Sequence, residues 1–158
     1  MLIRHFRQRN AISAVWEFSG RWPWRARADR NLFRQVAALM QSRTKTYMDA
    51  QAWQYFFTED FAIDSKAQGK FLKDDTVKTA LKDLAGKFAG MTDFTAAEIE
   101  KTIRAVEESY GIAQGKLNQP LRIAVTGIPV GAGVYETAEI LGKAACADRI
   151  GRTLEKCV

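Results

Sequence analysis

Few residues in this chain have the types and spacing that catalysis needs. Carboxylates stand side by side at Glu59-Asp60, Asp74-Asp75 and Glu107-Glu108. An acid/base pair needs two carboxyls on one face, whereas sequence neighbours on a helix point to different sides. These pairs therefore read as caps and solvated faces. His5 is the only histidine, which leaves little room for Ser-His or Cys-His chemistry. Cys146 and Cys157 are too few for a zinc site of four cysteines or a disulfide framework, and read as small buried apolar groups. The stretch Gly127-Ile128-Pro129-Val130-Gly131-Ala132-Gly133 follows an apolar run, as a phosphate-binding loop would. However, Val134 and Tyr135 stand where Lys and then Ser or Thr would hold terminal phosphates and magnesium. The glycine spacing also fails the dinucleotide pattern. A turn between two helices is the expected role, with no catalytic residue, metal or cofactor in the chain.

What the chain holds in excess is positive charge, and its position matters. The 158 residues carry a formal net charge of +6. Arg4, Arg7, Arg9, Arg21, Arg25, Arg27 and Arg30 oppose only Glu17 and Asp29, so the head is strongly basic and the rest nearly neutral. Trp16, Phe18, Trp22 and Trp24 lie among these arginines. Arginine beside aromatic rings can stack on bases and grip phosphates. The aromatics also suit a cap on the core of the body, with the arginines solvated. The same acid-poor composition fits an organelle transit peptide. No apolar run reaches the roughly 18 to 20 residues of a membrane span. A cytoplasmic module with an anionic partner and no membrane is expected.

The elements that must position any functional side chain read as helices. Leu32, Phe33, Val36, Leu39 and Met40 share one helical face, and Tyr47, Met48, Ala52, Trp53, Phe56 and Phe57 continue the pattern. Asp64 can cap a short helix ending near Leu72, and Asp74 or Asp75 the next. That next helix carries the stripe Val77, Leu81, Leu84 and Phe88 and stops at Gly90. Thr95-Ala96-Ala97-Glu98 fits a capping box ahead of Ile99, Ile103, Val106 and Tyr110, with Gly111 as the closing residue. Residues 117–133 are ambiguous. Leu121, Ile123 and Val125 alternate as in a strand, yet Pro120 suits a first helical turn and Gly127 a helix end. Residues 136–141 and 147–154 read as two further short helices. One candidate strand cannot make a sheet, so the expected fold is all-α with no sizeable sheet.

Residues from about 29 to 156 resemble the C-terminal anticodon-binding region of bacterial glutamyl-tRNA synthetases. The likeness rests on Gly115-Lys116, then Gln119-Pro120-Leu121-Arg122-Ile123-Ala124-Val125-Thr126-Gly127, then Leu141-Gly142-Lys143. Arg43 with Thr46, Tyr55-Phe56-Phe57 before an acidic loop, and the Thr95 helix support it. The resemblance implies two helical anticodon-binding subdomains, at 29–90 and 91–158, after an unmatched basic aromatic extension at 1–28. It implies tRNA as the partner, glutamate tRNA in particular. It places anticodon contacts at Arg43, Arg104, Arg122, Thr126, Gly127 and Val134, with Arg43 at the position that reads the last anticodon base.

The chain departs from that pattern where Gly131-Ala132-Gly133 replaces a Ser-Pro-Gly or Thr-Pro-Gly loop, and where Ala144-Ala145-Cys146 replaces charged residues. The ATP-binding signatures of the family do not occur in it. It is therefore expected not to be an enzyme by itself, with ATP and magnesium belonging to a catalytic domain joined in cis or in trans. A different reading is a free-standing truncated relative that kept the fold as a protein-interaction module without tRNA specificity.

Overall fold

Asp29 closes the amino end of the first helix, α1 (Arg30–Met40), by accepting from the amides of Asn31 at 2.5 Å and Leu32 at 3.0 Å. The computed structural model describes residues 29–45 and 48–157. The basic aromatic head at 1–28, together with Thr46 and Tyr47, lies outside the described residues. Helix α1 buries Phe33, Val36, Ala37 and Met40, the face that its apolar spacing predicts. Thr44 then donates its hydroxyl to the Met40 carbonyl at 2.9 Å. The next stretch, Met48–Phe56, is a 3-10 helix and not the α-helix expected. Its buried residues Ala50, Trp53 and Phe56 recur every three positions, the repeat at which side chains eclipse in a 3-10 helix; Tyr55 is buried as well, while Ala52 is exposed. Phe33 lies between Trp53, at 5.8 Å between ring centroids, and Phe57, at 6.3 Å.

The chain divides into two compact units between Phe61 and Ala62. This is earlier than the break after residue 90 that the sequence reading placed. In the second unit α2 (Ser65–Phe71) is capped by Asp64, α3 (Asp75–Gly90) by Asp74, and α4 (Ala96–Ser109) by Thr95. Helix α3 packs most extensively on α7 (Lys143–Glu155). Its Leu81, Leu84 and Phe88 share one core with Ile99, Ile103 and Ile150. An amphipathic stripe shows that a helix needs a partner but not which one; here that partner is α7.

Two local mechanisms also differ from expectation. Gly90 is the last helical residue, and Met91 leaves in extended conformation, so the helix stops without a left-handed glycine. At Thr95 only half the capping box forms. The Thr95 hydroxyl accepts from the Glu98 amide at 3.4 Å, but the Glu98 carboxylate turns to Lys101 at 2.5 Å.

The ambiguous run is helix α5 (Asn118–Thr126), and α6 (Val134–Leu141) follows the glycine loop. Helix α5 buries Pro120, Leu121, Ile123, Ala124, Val125 and Thr126. In a nine-residue helix with only Asn118, Gln119 and Arg122 left unburied, the run is too short for its period to exclude an alternating one, which is why three of its residues imitated a strand. Gly127 ends it at φ 79°, donating to the Ile123 carbonyl at 2.9 Å; a side chain there would be strained. Among the described residues there is no strand.

Glu107 was read as part of a solvated or capping pair, yet it is only 2% exposed. Its carboxylate accepts from the amides of Gly115 at 3.0 Å and Leu117 at 2.8 Å, so α4 caps the approach to α5. Glu107→Ala leaves both amides without that acceptor and is expected to lower the unfolding free energy by about 2 kcal/mol. Glu107→Gln, which keeps an acceptor oxygen, is expected to cost less. Urea titration checks both, and an unchanged midpoint for Glu107→Ala would refute the capping role.

Candidate nucleic-acid interface

Four of the six residues singled out from sequence, Arg122, Thr126, Gly127 and Val134, meet in the turn from α5 to α6. Arg122 is half-buried and donates Nη1 to the Ala132 carbonyl at 2.5 Å, so its guanidinium holds the far side of the glycine loop. Thr126 is buried. Its hydroxyl donates back to the Arg122 carbonyl at 2.8 Å and accepts from the Ile128 amide at 3.3 Å. The Gly127 carbonyl accepts from the Asp64 amide at 2.8 Å, which ties the loop to the start of α2. Val134 is buried at the first position of α6. The Tyr135 hydroxyl and the Asn118 side-chain amide bond at 3.0 Å, joining the starts of α6 and α5.

The loop is thus held at both ends although glycines make up much of it. Its tip presents Val130, 70% exposed and the one large apolar side chain so exposed among the described residues. Sequence reasoning passed over Val130, because one valine between a proline and a glycine has no period to reveal its direction. An apolar tip on an anchored loop offers a surface on which a flat ring can rest.

The other two candidates lie elsewhere. Arg104 is exposed on α4 and pairs with Glu100 one turn away. It lines a shallow recess of about 290 Å³ with Glu107, Glu108, Ile112 and Gln114, none of which belongs to the α5–α6 turn. Arg43 is exposed in the turn after α1, in the first unit, with its amide on the Met40 carbonyl at 2.9 Å.

The carboxyl end of α5 is satisfied by α7. Arg149, 5% exposed, donates Nη1 to the Val125 carbonyl at 2.8 Å, and Thr153 donates its hydroxyl to the Ala124 carbonyl at 3.0 Å. A cation at a helix carboxyl end also complements the helix dipole. Neither residue was singled out from sequence. The signal available was position: Cys146, Arg149, Ile150 and Thr153 repeat at 3, 1 and 3 on one buried face. Burial pushes the Cys146 thiol up from 9.0 to about 12, with Arg149 pulling weakly the other way. Cys157 is half-buried and accepts from the Gln68 amide at 3.1 Å. Among the described residues no group of three His, Cys, Asp or Glu side chains is placed to hold a metal ion, and no helix is long and apolar enough to cross a membrane.

Residues 7–154 match the family described as the anticodon binding domain. That span takes in most of the head, so residues 7–28 are not the unmatched extension that the sequence reading expected. A glutamate–tRNA ligase of Geotalea uraniireducens is 34% identical over 120 residues, which cover 75% of this chain and 26% of that protein. Glutamate–tRNA ligase 2 of Koribacter versatilis is 30% identical over 145 residues, 91% of this chain and 30% of that protein. The crystal structure of a glutamate tRNA ligase from Elizabethkingia meningosepticum shares the fold, with a TM-score of 0.77 at 22% identity over 92% of this chain and 28% of that one. The chain therefore spans less than a third of the length of these relatives.

Arg122→Ala removes the donor from the Ala132 carbonyl. We expect faster amide hydrogen exchange across residues 128–133 and a stability loss of about 1 kcal/mol; unchanged exchange would show that the loop stands without Arg122. Iodoacetamide at pH 8 is expected to label Cys157 and spare Cys146 in the folded protein, because the thiolate is the nucleophile. The sign for stability follows from the raised value. From about 9 up to about 12 the unfolded Cys146 ionises while the folded thiol stays neutral, so its contribution falls as pH rises through that window. Chemical denaturation of the wild type and Cys146→Ala across pH 8 to 11 checks it, and parallel profiles would refute it.

Proposed function

Because this chain belongs to the anticodon binding domain family, we propose that it is a tRNA-binding module that grips the anticodon stem-loop of glutamate tRNA. The observation that carries this reading is the family match over residues 7–154, supported by relatives that are glutamate–tRNA ligases. The anchored α5–α6 turn fits the task. Single-stranded RNA loops are read when their bases are splayed out, stacked and hydrogen-bonded, and a splayed base needs a platform that does not yield. Val130 provides an exposed apolar tip, and the half-buried Arg122 braces the same turn through the Ala132 carbonyl. Arg43 and Arg104 are exposed and supply further cations for bases or phosphates.

In this reading the chain binds and orients the tRNA and does no chemistry. Glutamate activation, with its ATP and magnesium, falls to a catalytic domain joined in cis or in trans, and the assembly works in the cytoplasm. Affinity comes from Lys and Arg on phosphates and falls with salt. Specificity comes from base contacts, which position-independent charge cannot supply.

Filter binding of the full chain to glutamate tRNA and to an anticodon-swapped transcript tests this. The swap is expected to weaken binding about tenfold, or about 1.4 kcal/mol. Equal affinities would overturn the glutamate assignment and leave a general tRNA module. No salt-sensitive binding to either RNA would overturn the module itself and favour a protein-interaction role.

A further inference from the structure

Outside the α5–α6 turn the second unit carries a basic recess that the reading above does not use. It has a volume of about 500 Å³ and is lined by Lys70, Phe71, Lys73, Asp74, Val77, Lys116 and Pro120. Its three lysines come from separate places: Lys70 from α2, Lys73 from the α2–α3 turn, and Lys116 from the approach to α5. All three are exposed. The lone acid, Asp74, turns its carboxylate to the Thr76 amide at 2.8 Å to cap α3. Lys70 holds its ammonium 5.1 Å from the centre of the Phe71 ring.

Five basic side chains elsewhere on this unit are paired within their own helices: Lys78 with Asp75, Lys87 with Asp83, Lys101 with Glu98, Arg104 with Glu100 and Arg152 with Asp148. Lys70, Lys73 and Lys116 pair with none of the described carboxylates, although Asp74 shares their recess. Three ammoniums against one carboxylate in a single concavity leave a net positive charge whose members repel one another, and an anion relieves that cost.

We propose that this recess grips the sugar-phosphate backbone of the bound RNA, away from the anticodon bases. The chemistry favours a backbone over other anions. Lysine ammoniums are mobile point charges suited to phosphates, whereas fork-like recognition of a carboxylate calls for arginine, and the recess holds no arginine. Phe71, Val77 and Pro120 form an apolar floor on which a ribose can rest. No Asn, Gln or Arg lines it, so the recess lacks the planar amide and guanidinium groups that make bidentate base contacts, and its grip is expected to fall on phosphates without regard to sequence. The inference rests on the tRNA-binding reading above.

The test uses the full chain, glutamate tRNA and the anticodon-swapped transcript over a salt series. The triple variant K70Q/K73Q/K116Q is expected to bind both RNAs about tenfold more weakly, by the same factor. The slope of log K against log salt should fall by about 2 to 3, at roughly 0.7 to 0.9 per lost phosphate contact. The charge-keeping triple Lys→Arg variant should restore most of the slope. In the wild type, glutamate tRNA should protect these three lysines from acetylation, read by mass spectrometry; this needs no variant to fold. Wild-type binding with an unchanged slope in K70Q/K73Q/K116Q, or unprotected lysines, would overturn the recess and leave the tRNA reading standing. A wild type that binds neither RNA would overturn both. Protection by poly-glutamate but not by tRNA would overturn the RNA backbone and assign the recess to an acidic protein.

Discussion

Helix α5 is nine residues long and six of them, Pro120 and Leu121 and then Ile123 to Thr126, are buried, so the carbonyls at its carboxyl end cannot turn to water. A helix leaves its first amides and last carbonyls unpaired, and burying such groups without partners costs as much as several surface interactions together contribute. The second unit is organised around meeting that demand. Glu107 reaches from α4 to the amides leading into α5, and Arg149 and Thr153 reach from α7 to its last carbonyls. These polar contacts select one placement of α4 and α7 about α5, where apolar packing alone tolerates several. The core of Leu81, Leu84, Phe88, Ile99, Ile103 and Ile150 then fills the space those contacts define.

The α5–α6 turn inherits its order from the same helix. Gly127 leaves α5 in the left-handed region, Thr126 bonds back into its last turn, and Arg122 crosses to the Ala132 carbonyl. A loop rich in glycine loses much conformational freedom on being fixed. Its definition here comes from those crossings and from the Asp64 amide, beside the fixed φ of Pro129. Arg122, half-buried, holds the turn together through the Ala132 carbonyl.

Charge is distributed by two different rules. Along α3, α4 and α7 basic and acidic side chains pair at three or four residues' spacing; such exposed pairs contribute little each and keep the surface neutral. At the recess the chain brings Lys116 beside Lys70 and Lys73, with Asp74 as the one acid in the lining. The overall +6 hides this contrast, because most of it belongs to the head at 1–30.

What the sequence determined by itself was whatever depends on neighbours within a turn or two. The Asp29, Asp64, Asp74 and Thr95 caps, the apolar faces of α1, α3 and α4, and the glycine stops at 111 and 127 follow from side-chain reach and helical period. The Pro-Leu-Arg to Thr-Gly run was legible in the same way, and the family resemblance came with it. Tertiary structure alone decided the rest. It set the division at Phe61 in place of residue 90, the 3-10 form of Met48–Phe56, the burial of Glu107 and Arg149, and the meeting of three lysines in one recess. Each of these depends on a partner many residues away. Helical periodicity reports that a face must be covered or a charge satisfied, but the covering group is chosen only when the helices pack.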